Sequence, residues 1–157
     1  MSRTVDEAIR GLRIVNAGLI AGLLMFLAVA VLFKDALASQ PDPANEVVML
    51  SVLGLFAAGS AVAYLAFGRV VAVQLAAKEP HLRQAAEPSE AAIGAYRQLS
   101  IVRASLIEGP AFFAVVIYML TSSQLALSAA VLGAALLLVH PPSHAGLRSL
   151  IEQASRR

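Results

Sequence analysis

Four runs of apolar residues, separated by stretches that hold almost every charge, organise this 157-residue chain. The first, 14–33, is interrupted only by Asn16, and the second, 47–67, contains no charge. The third, 101–120, admits Arg103, Glu108 and Pro110; the fourth, 124–140, is apolar from Leu125 to Val139. A helix needs about 20 apolar residues to cross a bilayer. Lipid offers the backbone no hydrogen-bond partners, so each run is expected to be a helix. The pattern predicts an all-α membrane protein: four transmembrane helices in one transmembrane domain spanning 1–157, with a long connection, 68–100, between the second and third.

Punctuation along the chain refines the picture. Gly68–Lys78 keeps an apolar, helix-compatible pattern and is expected to prolong the second helix until Glu79-Pro80 stops it. Pro88-Ser89-Glu90 reads as a helix start, with Ser89 as cap and Glu90 favourably placed in the first turn. A helix from Glu90 to Leu120 would be about 46 Å long, so a third of it would stand outside the membrane. Thr121–Gln124 is expected to be a tight polar turn, and 34–46 a loop turned by Pro41-Asp42-Pro43. Ala145–Arg157 places Leu147, Leu150 and Ile151 on one helical face and is expected to lie on the membrane surface. The opening arginines, the first apolar run and Ala36-Leu37-Ala38 imitate a cleavable leader. The run is too long for one, and Lys34 and Asp35 crowd the cleavage site, so a retained helix is expected.

Charge sets an orientation. Of twelve basic residues, eleven fall before the first helix, between or just inside the second and third, or after the fourth; Lys34 alone falls on the other side. The positive side faces the cytoplasm, which predicts a multi-pass protein of the cytoplasmic (inner) membrane with both termini inside. Overall, 59% of residues are hydrophobic and 14% charged, against about 25% charged in soluble domains. Disorder, a nucleic-acid partner and a disulfide-stapled module are disfavoured, and the lipid bilayer becomes the expected partner. With no cysteine in the chain, a thiolate nucleophile, a Cys-ligated metal and an iron–sulfur cluster are excluded.

Sliding the chain against itself by 87 residues aligns Arg10–Val29 with Arg97–Val116, with ten of twenty positions identical, among them Leu19/Leu106, Gly22/Gly109 and Phe26/Phe113. This predicts a tandem repeat of a two-helix unit, both copies running the same way; convergence of two apolar helices is the alternative. Within the repeat, Gly18 and Gly22 form a GxxxG matched by Ser105 and Gly109, and helix four has Ala129 and Gly133 at the same spacing. Small residues on one face let helices approach closely in lipid, within the chain or between copies. Gly18, Gly22, Ser105 and Gly133 are therefore expected helix-packing positions, within the chain or in a homo-oligomer or larger membrane complex.

Glu108 is the one acidic residue well inside a run. An acid at such depth costs several kcal/mol unless it is paired, wet or neutral, and desolvation favours the neutral form. Counting the same depth on the other helices reaches small residues, with Ser60 and Tyr64 of the second helix as expected hydrogen-bond partners. Pro110 cannot donate to the carbonyl of Leu106, and Gly109 loosens the same turn, so a kink is expected beside the acid. The pattern points to reversible binding of a proton or cation by Glu108, Ser60 and Tyr64; a structural glutamic acid bonded across helices is the alternative.

The run Ala104-Ser-Leu-Ile-Glu108-Gly109-Pro110-Ala111-Phe112-Phe113 resembles the carboxylate helix of the c subunit, or proteolipid, of rotary F-/V-type ATP synthases and ATPases. In that family the acid precedes a small residue, an aromatic follows five positions on, and the helix bends near the acid. Arg97-Gln98 is similar to the Arg-Gln of its polar loop, and four helices with one acid resemble its duplicated form, with Ala21 at the place of the lost acid. The resemblance implies a proteolipid-like, ion-transporting, oligomeric component in which Glu108 carries the ion. The chain departs from the family pattern in offering only Gly54 and Gly59 on its second helix and in its long central connection.

Other signals carry less. His140-Pro-Pro-Ser-His144 spaces two imidazoles as helical ligands, but its prolines break that helix, so a loop at the membrane interface is expected rather than a metal site. Tyr64, Tyr96 and Tyr118 fall near span ends and are expected interfacial anchors. Ser122, Ser123 and His81 form no nucleophile–base pair, so neither an enzyme nor a cofactor is expected. A structural or accessory subunit of a larger membrane complex, without transport of its own, is the alternative to the proteolipid-like reading.

Overall fold

A computed structural model describes residues 3–37, 43–79 and 88–156, whose regular secondary structure is all helix, with no strand. Five helices follow in order: α1 (Arg3–Leu37), α2 (Pro43–Lys78), α3 (Glu90–Thr121), α4 (Gln124–Val139) and α5 (His144–Ser155). Lys34 and Asp35 have backbone in α1. The turn at 41–42 and residues 80–87, with the expected helix stop at Pro80, His81 and Arg83, lie outside the described residues.

The long helices overrun the apolar segments that seed them. α1, α2 and α3 contain 35, 36 and 32 residues, about 52, 54 and 48 Å at 1.5 Å per residue, against about 30 Å of hydrocarbon. These three are long and apolar enough to cross a membrane. The fourth span differs from expectation. α4 has 16 residues, about 24 Å, and reaches span length only if counted with α5, from which it is bent by 82° at a short break. Pro141 and Pro142 cause that break, since neither has an N–H to continue a helix.

Local chemistry ends the helices where the sequence indicates. Ser89 Oγ accepts the N–H of Ala92 at 3.2 Å and so starts α3, as its spacing suggests. At the other end Ser122 takes a left-handed conformation, φ 55°, while its N–H donates to the Tyr118 carbonyl at 2.8 Å. Thr121 Oγ1 donates to Ile117 O and accepts the N–H of Ser123. The turn thus pairs the Ser122 and Ser123 N–H groups within itself, which is what a connection bordering lipid requires.

α3 is the axis of the bundle and packs against each of the other four helices. In its most apolar stretch 33% of residues are buried, against 17% in α1 and 11% in α2, which turn most of their surface outward. Leu32, Leu55, Val62 and Val139 are each about two-thirds exposed or more. Large apolar side chains standing out along whole helices are stable in lipid and costly in water.

Two cores divide the bundle lengthwise. One lies among the apolar runs and is built from Leu23 and Ala30 of α1, Leu53 of α2, Ala111, Ala114, Val115 and Tyr118 of α3, and Ala126, Ala130 and Leu137 of α4. Its many alanines let the backbones come close. The other lies at the end of the bundle where the chain begins. There Val5, Ile9 and Leu12 of α1 meet Val71 and Leu75 of α2, Ala92, Tyr96 and Leu99 of α3, and Leu147, Leu150 and Ala154 of α5. Outward neighbours such as Arg10, Gln74, Arg97 and Arg148 are polar and exposed, so this layer has the amphipathic pattern of a soluble helical bundle.

That second core corrects the expectation for the tail. The apolar face of α5 is real, but it is spent on the protein: Leu147 and Leu150 are buried and Ile151 packs partly against the same cluster, so that face is not presented to a membrane surface. Tyr96 and Tyr118, expected as interfacial anchors, are core residues instead. Phe26 and Phe113, matched in the repeat, pack against the core but not on each other: Phe26 faces Phe112 at 5.4 Å between ring centroids, and Phe113 meets Phe56 at 6.1 Å.

Candidate functional site

Glu108 is half-buried, in the third helical turn of α3 beyond Ile101 and beside Gly109 and Pro110, through which the helix runs unbroken. Its direction follows from its neighbours one turn on. Ala111 lies against Gly133 of α4, and Phe112 faces Phe26 of α1. Residues at i+3 and i+4 share a face with residue i, and so does the exposed Ser105 at i−3, so Glu108 lies toward the α1–α4 side of α3 at its open edge. Gly109 points elsewhere, toward Phe56 of α2, whose ring would stand 3.2 Å from an added Cβ.

Ser60 and Tyr64 are not brought to the acid. They line a groove between α2 and α4 whose floor is formed by Leu106, Ile107 and Pro110 of α3. Among the described residues Glu108 has no hydrogen-bond or ion-pair partner, and Ser60 and Tyr64 of α2 border a groove against a different side of α3, which Glu108 does not line. Counting residues along a helix gives depth but not the angle around its axis, and the angle divides them. The small-residue positions separate too. An added Cβ at Gly133 would press on the Ala111 side chain, so Gly133 is an intramolecular packing position. Gly18 and Gly22 have nothing within 4 Å of where a Cβ would stand, and Ser105 is exposed, so these three are open on the outside of the bundle.

A second polar site was not anticipated by the sequence reading. Tyr64 lies beneath Arg103, with the guanidinium carbon 4.8 Å from the ring centroid. Gly68, one turn along α2, has no side chain, and the guanidinium occupies the space a Cβ would need. Arg103 Nε is buried without a hydrogen-bond partner. Arg103 borders a cavity of about 430 Å³, together with Asn16 of α1, Tyr64 of α2, Tyr96 and Ser100 of α3, and His140 of the α4–α5 elbow. Asn16, the residue that interrupts the first apolar run, is buried and donates from Nδ2 to the Leu137 carbonyl at 3.3 Å.

The elbow itself is pinned. The Tyr96 hydroxyl donates to Ser143 O and accepts the Ser143 N–H, both at 2.9 Å. Ser143 Oγ accepts the Gly146 N–H at 3.2 Å and caps α5. Arg13 donates from Nε to the Pro142 carbonyl at 3.1 Å. His144 Nε2 approaches Asp6 at 3.4 Å, an ion pair whenever the imidazole is protonated. The His-Pro-Pro-Ser-His segment is therefore a structural hinge held by α1 and α3. Among the described residues no group of three or more His, Cys, Asp or Glu side chains is placed to hold a metal.

Tyr96→Phe removes both bonds to Ser143 and leaves its N–H and carbonyl to find other partners. Losing such partners costs about 1–3 kcal/mol for each buried group left unmet. Hydrogen–deuterium exchange of the purified variant is expected to show faster exchange over residues 143–155, with the α3–α4 turn unchanged.

A sequence signal for the second site existed. An arginine seven residues before Pro110, just inside an apolar run, needs a partner or a place at the headgroup level. A glycine–tyrosine pair at matching depth on α2 provides the room and the aromatic face it uses. Comparison with family models, curated proteins and solved structures finds no match to this chain, so the site is argued from its own residues.

Proposed function

We propose that this chain is a small polytopic, non-enzymatic membrane protein, proteolipid-like, in which Glu108 reversibly binds a proton or a cation within an oligomer. The observation that carries this reading is the position of Glu108: a half-buried carboxyl on the most enclosed of the three span-length helices, with no countercharge or hydrogen-bond partner among the described residues. A carboxyl so placed changes charge only at a cost, and a bound proton or cation removes that cost. In this reading the site belongs to the α1–α3–α4 seam, and Ser60 and Tyr64 do not complete it. Both termini and the 68–100 connection face the cytoplasm, and α1–α2 and α3–α4 are tandem copies. Asn16 and Arg103, which occupy the same register in the two copies, both border one cavity, a matched use that supports the repeat.

Reconstitution into vesicles with a trapped pH- or cation-sensitive dye tests it. The native chain is expected to pass protons or a monovalent cation, and Glu108→Gln to abolish the flux while assembly persists. Flux identical in the two proteins contradicts the proposal.

The second reading, an accessory subunit that packs against a larger membrane complex, is favoured by the open face at Gly18 and Gly22. Native mass measurement after mild extraction separates the two. A closed homo-oligomer supports the first reading, and co-purification with unlike subunits supports the second.

A further inference from the structure

The Arg103 cavity does not end at its polar residues. Tyr64, Ile107 and His140 belong both to that cavity and to the groove between α2 and α4. The groove, also about 430 Å³, is lined by Leu53, Ala57, Leu106, Pro110, Leu132 and Leu136 and opens toward the lipid-facing side of the bundle. A polar chamber and an apolar channel thus share one wall.

The polar chamber is positive. Among the described residues Arg103 is the only formally charged side chain bordering it, and none that lines chamber or groove is a carboxylate. Arg13 stands at the elbow against Pro142, which also borders the chamber. The 12-residue helix α5 begins there, with Ser143 and Gly146 in the wall, so the positive end of its dipole adds to the field. Asp6 of α1 faces His144 at the start of α5. Glu108 is on another side of α3, five residues on and about 140° around the helix. The guanidinium has one face on the Tyr64 ring and its Nη2 against Gly68, and among the described residues it borders the chamber as a cation with no countercharge, which an anion in the chamber would supply.

From this juxtaposition we infer that the chain holds one anionic amphiphile of the phospholipid class, its headgroup phosphate against Arg103 and an acyl chain in the α2–α4 groove. The depth fits: the chamber lies where the apolar runs give way to the amphipathic layer, the level of lipid headgroups. A free phosphate would use the chamber and leave the groove without a role. This inference stands apart from the Glu108 reading, since neither cavity is lined by Glu108.

Native mass spectrometry of the full chain, delipidated and then titrated with phosphatidylglycerol or phosphatidylcholine of equal chain length, tests it. One phosphatidylglycerol is expected to remain per chain at activation energies that strip phosphatidylcholine. Arg103→Gln is expected to weaken its retention at least about tenfold, as for loss of one partner of an enclosed charge pair, while Arg148→Gln on the exposed side of α5 leaves it unchanged. Because Arg103 also packs on Tyr64, a second variant acts from the groove: Ala57→Phe, at an exposed position, is expected to fold and to lower retention by obstructing the acyl chain. Equal retention of the two lipids, or retention unaffected by Ala57→Phe, overturns the inference. So does a thermal stabilisation by inorganic phosphate as large as that by phosphatidylglycerol, which would assign the chamber to a free anion.

Discussion

Gly133→Leu is expected to lower the melting temperature of the detergent-purified protein by about 10 °C. The reason lies in the α3–α4 contact, where the Gly133 Cα faces Ala111 so closely that even a Cβ would strike the Ala111 side chain, with the Ala111 Cα 3.5 Å away and the Ile107 carbonyl 3.8 Å. Ala111 is itself 3% exposed and on the central helix, so neither partner can yield without moving a backbone. Overpacking of this kind costs about 3 kcal/mol, and at this chain length each kcal/mol is worth about 2–4 °C. Gly22→Leu supplies the contrast. Open space surrounds Gly22, so its replacement is expected to leave melting unchanged and to alter only the oligomer, which size-exclusion chromatography with light scattering reads. If Gly22→Leu melts as early as Gly133→Leu, the assignment of one glycine to the interior and the other to the outside is wrong.

Leu150→Asp carries the second large effect. Leu150 is 3% exposed in the core shared by α1, α2, α3 and α5. A carboxylate placed there has no partner charge in that core, and an unpaired buried charge costs several kcal/mol. The expected result is detachment of α5: rapid tryptic cleavage at Arg148, loss of exchange protection from 144 to 155, and a spanning bundle that still extracts and migrates as folded protein. Arg148→Asp, on the exposed face of the same helix, is expected to do none of this. A tail lying free on the membrane would respond differently, with Leu150→Asp weakening lipid contact and leaving the exchange of α1, α2 and α3 untouched.

The tail shows where the sequence stops being legible. Its apolar stripe at helical spacing is plain, but the same stripe serves a membrane surface or three other helices, and nothing in the period names the partner. What decided it was the extension of α1, α2 and α3 beyond the lipid-length runs. For α2 and α3 that extension is readable, in the apolar continuation to Lys78 and in the Ser89 cap. For α1 it is readable too, in Val5, Ile9 and Leu12, once the first run is not treated as the whole helix. The site fared less evenly. Glu108 stands out from its surroundings by charge alone, whereas its neighbours depend on helix azimuth, which depth counting leaves out. Tyr64 was expected beside Glu108, and its ring lies under Arg103. The α4–α5 elbow was legible as a helix break and illegible as a wall, because the bond that makes it one, Tyr96 to Ser143, joins residues 47 apart in the chain.

The claim at the centre of this account is that Glu108 is a reactive, protonatable carboxyl within the membrane. Labelling with a lipid-soluble carbodiimide, followed by peptide mass mapping, tests it most directly, since the reagent attacks the neutral acid from the apolar phase. The account predicts a single modified site at Glu108, labelling that falls as pH rises or as a competing cation is added, and no labelling of Glu108→Gln. Labelling that is absent at every pH, or that persists undiminished in Glu108→Gln, contradicts it.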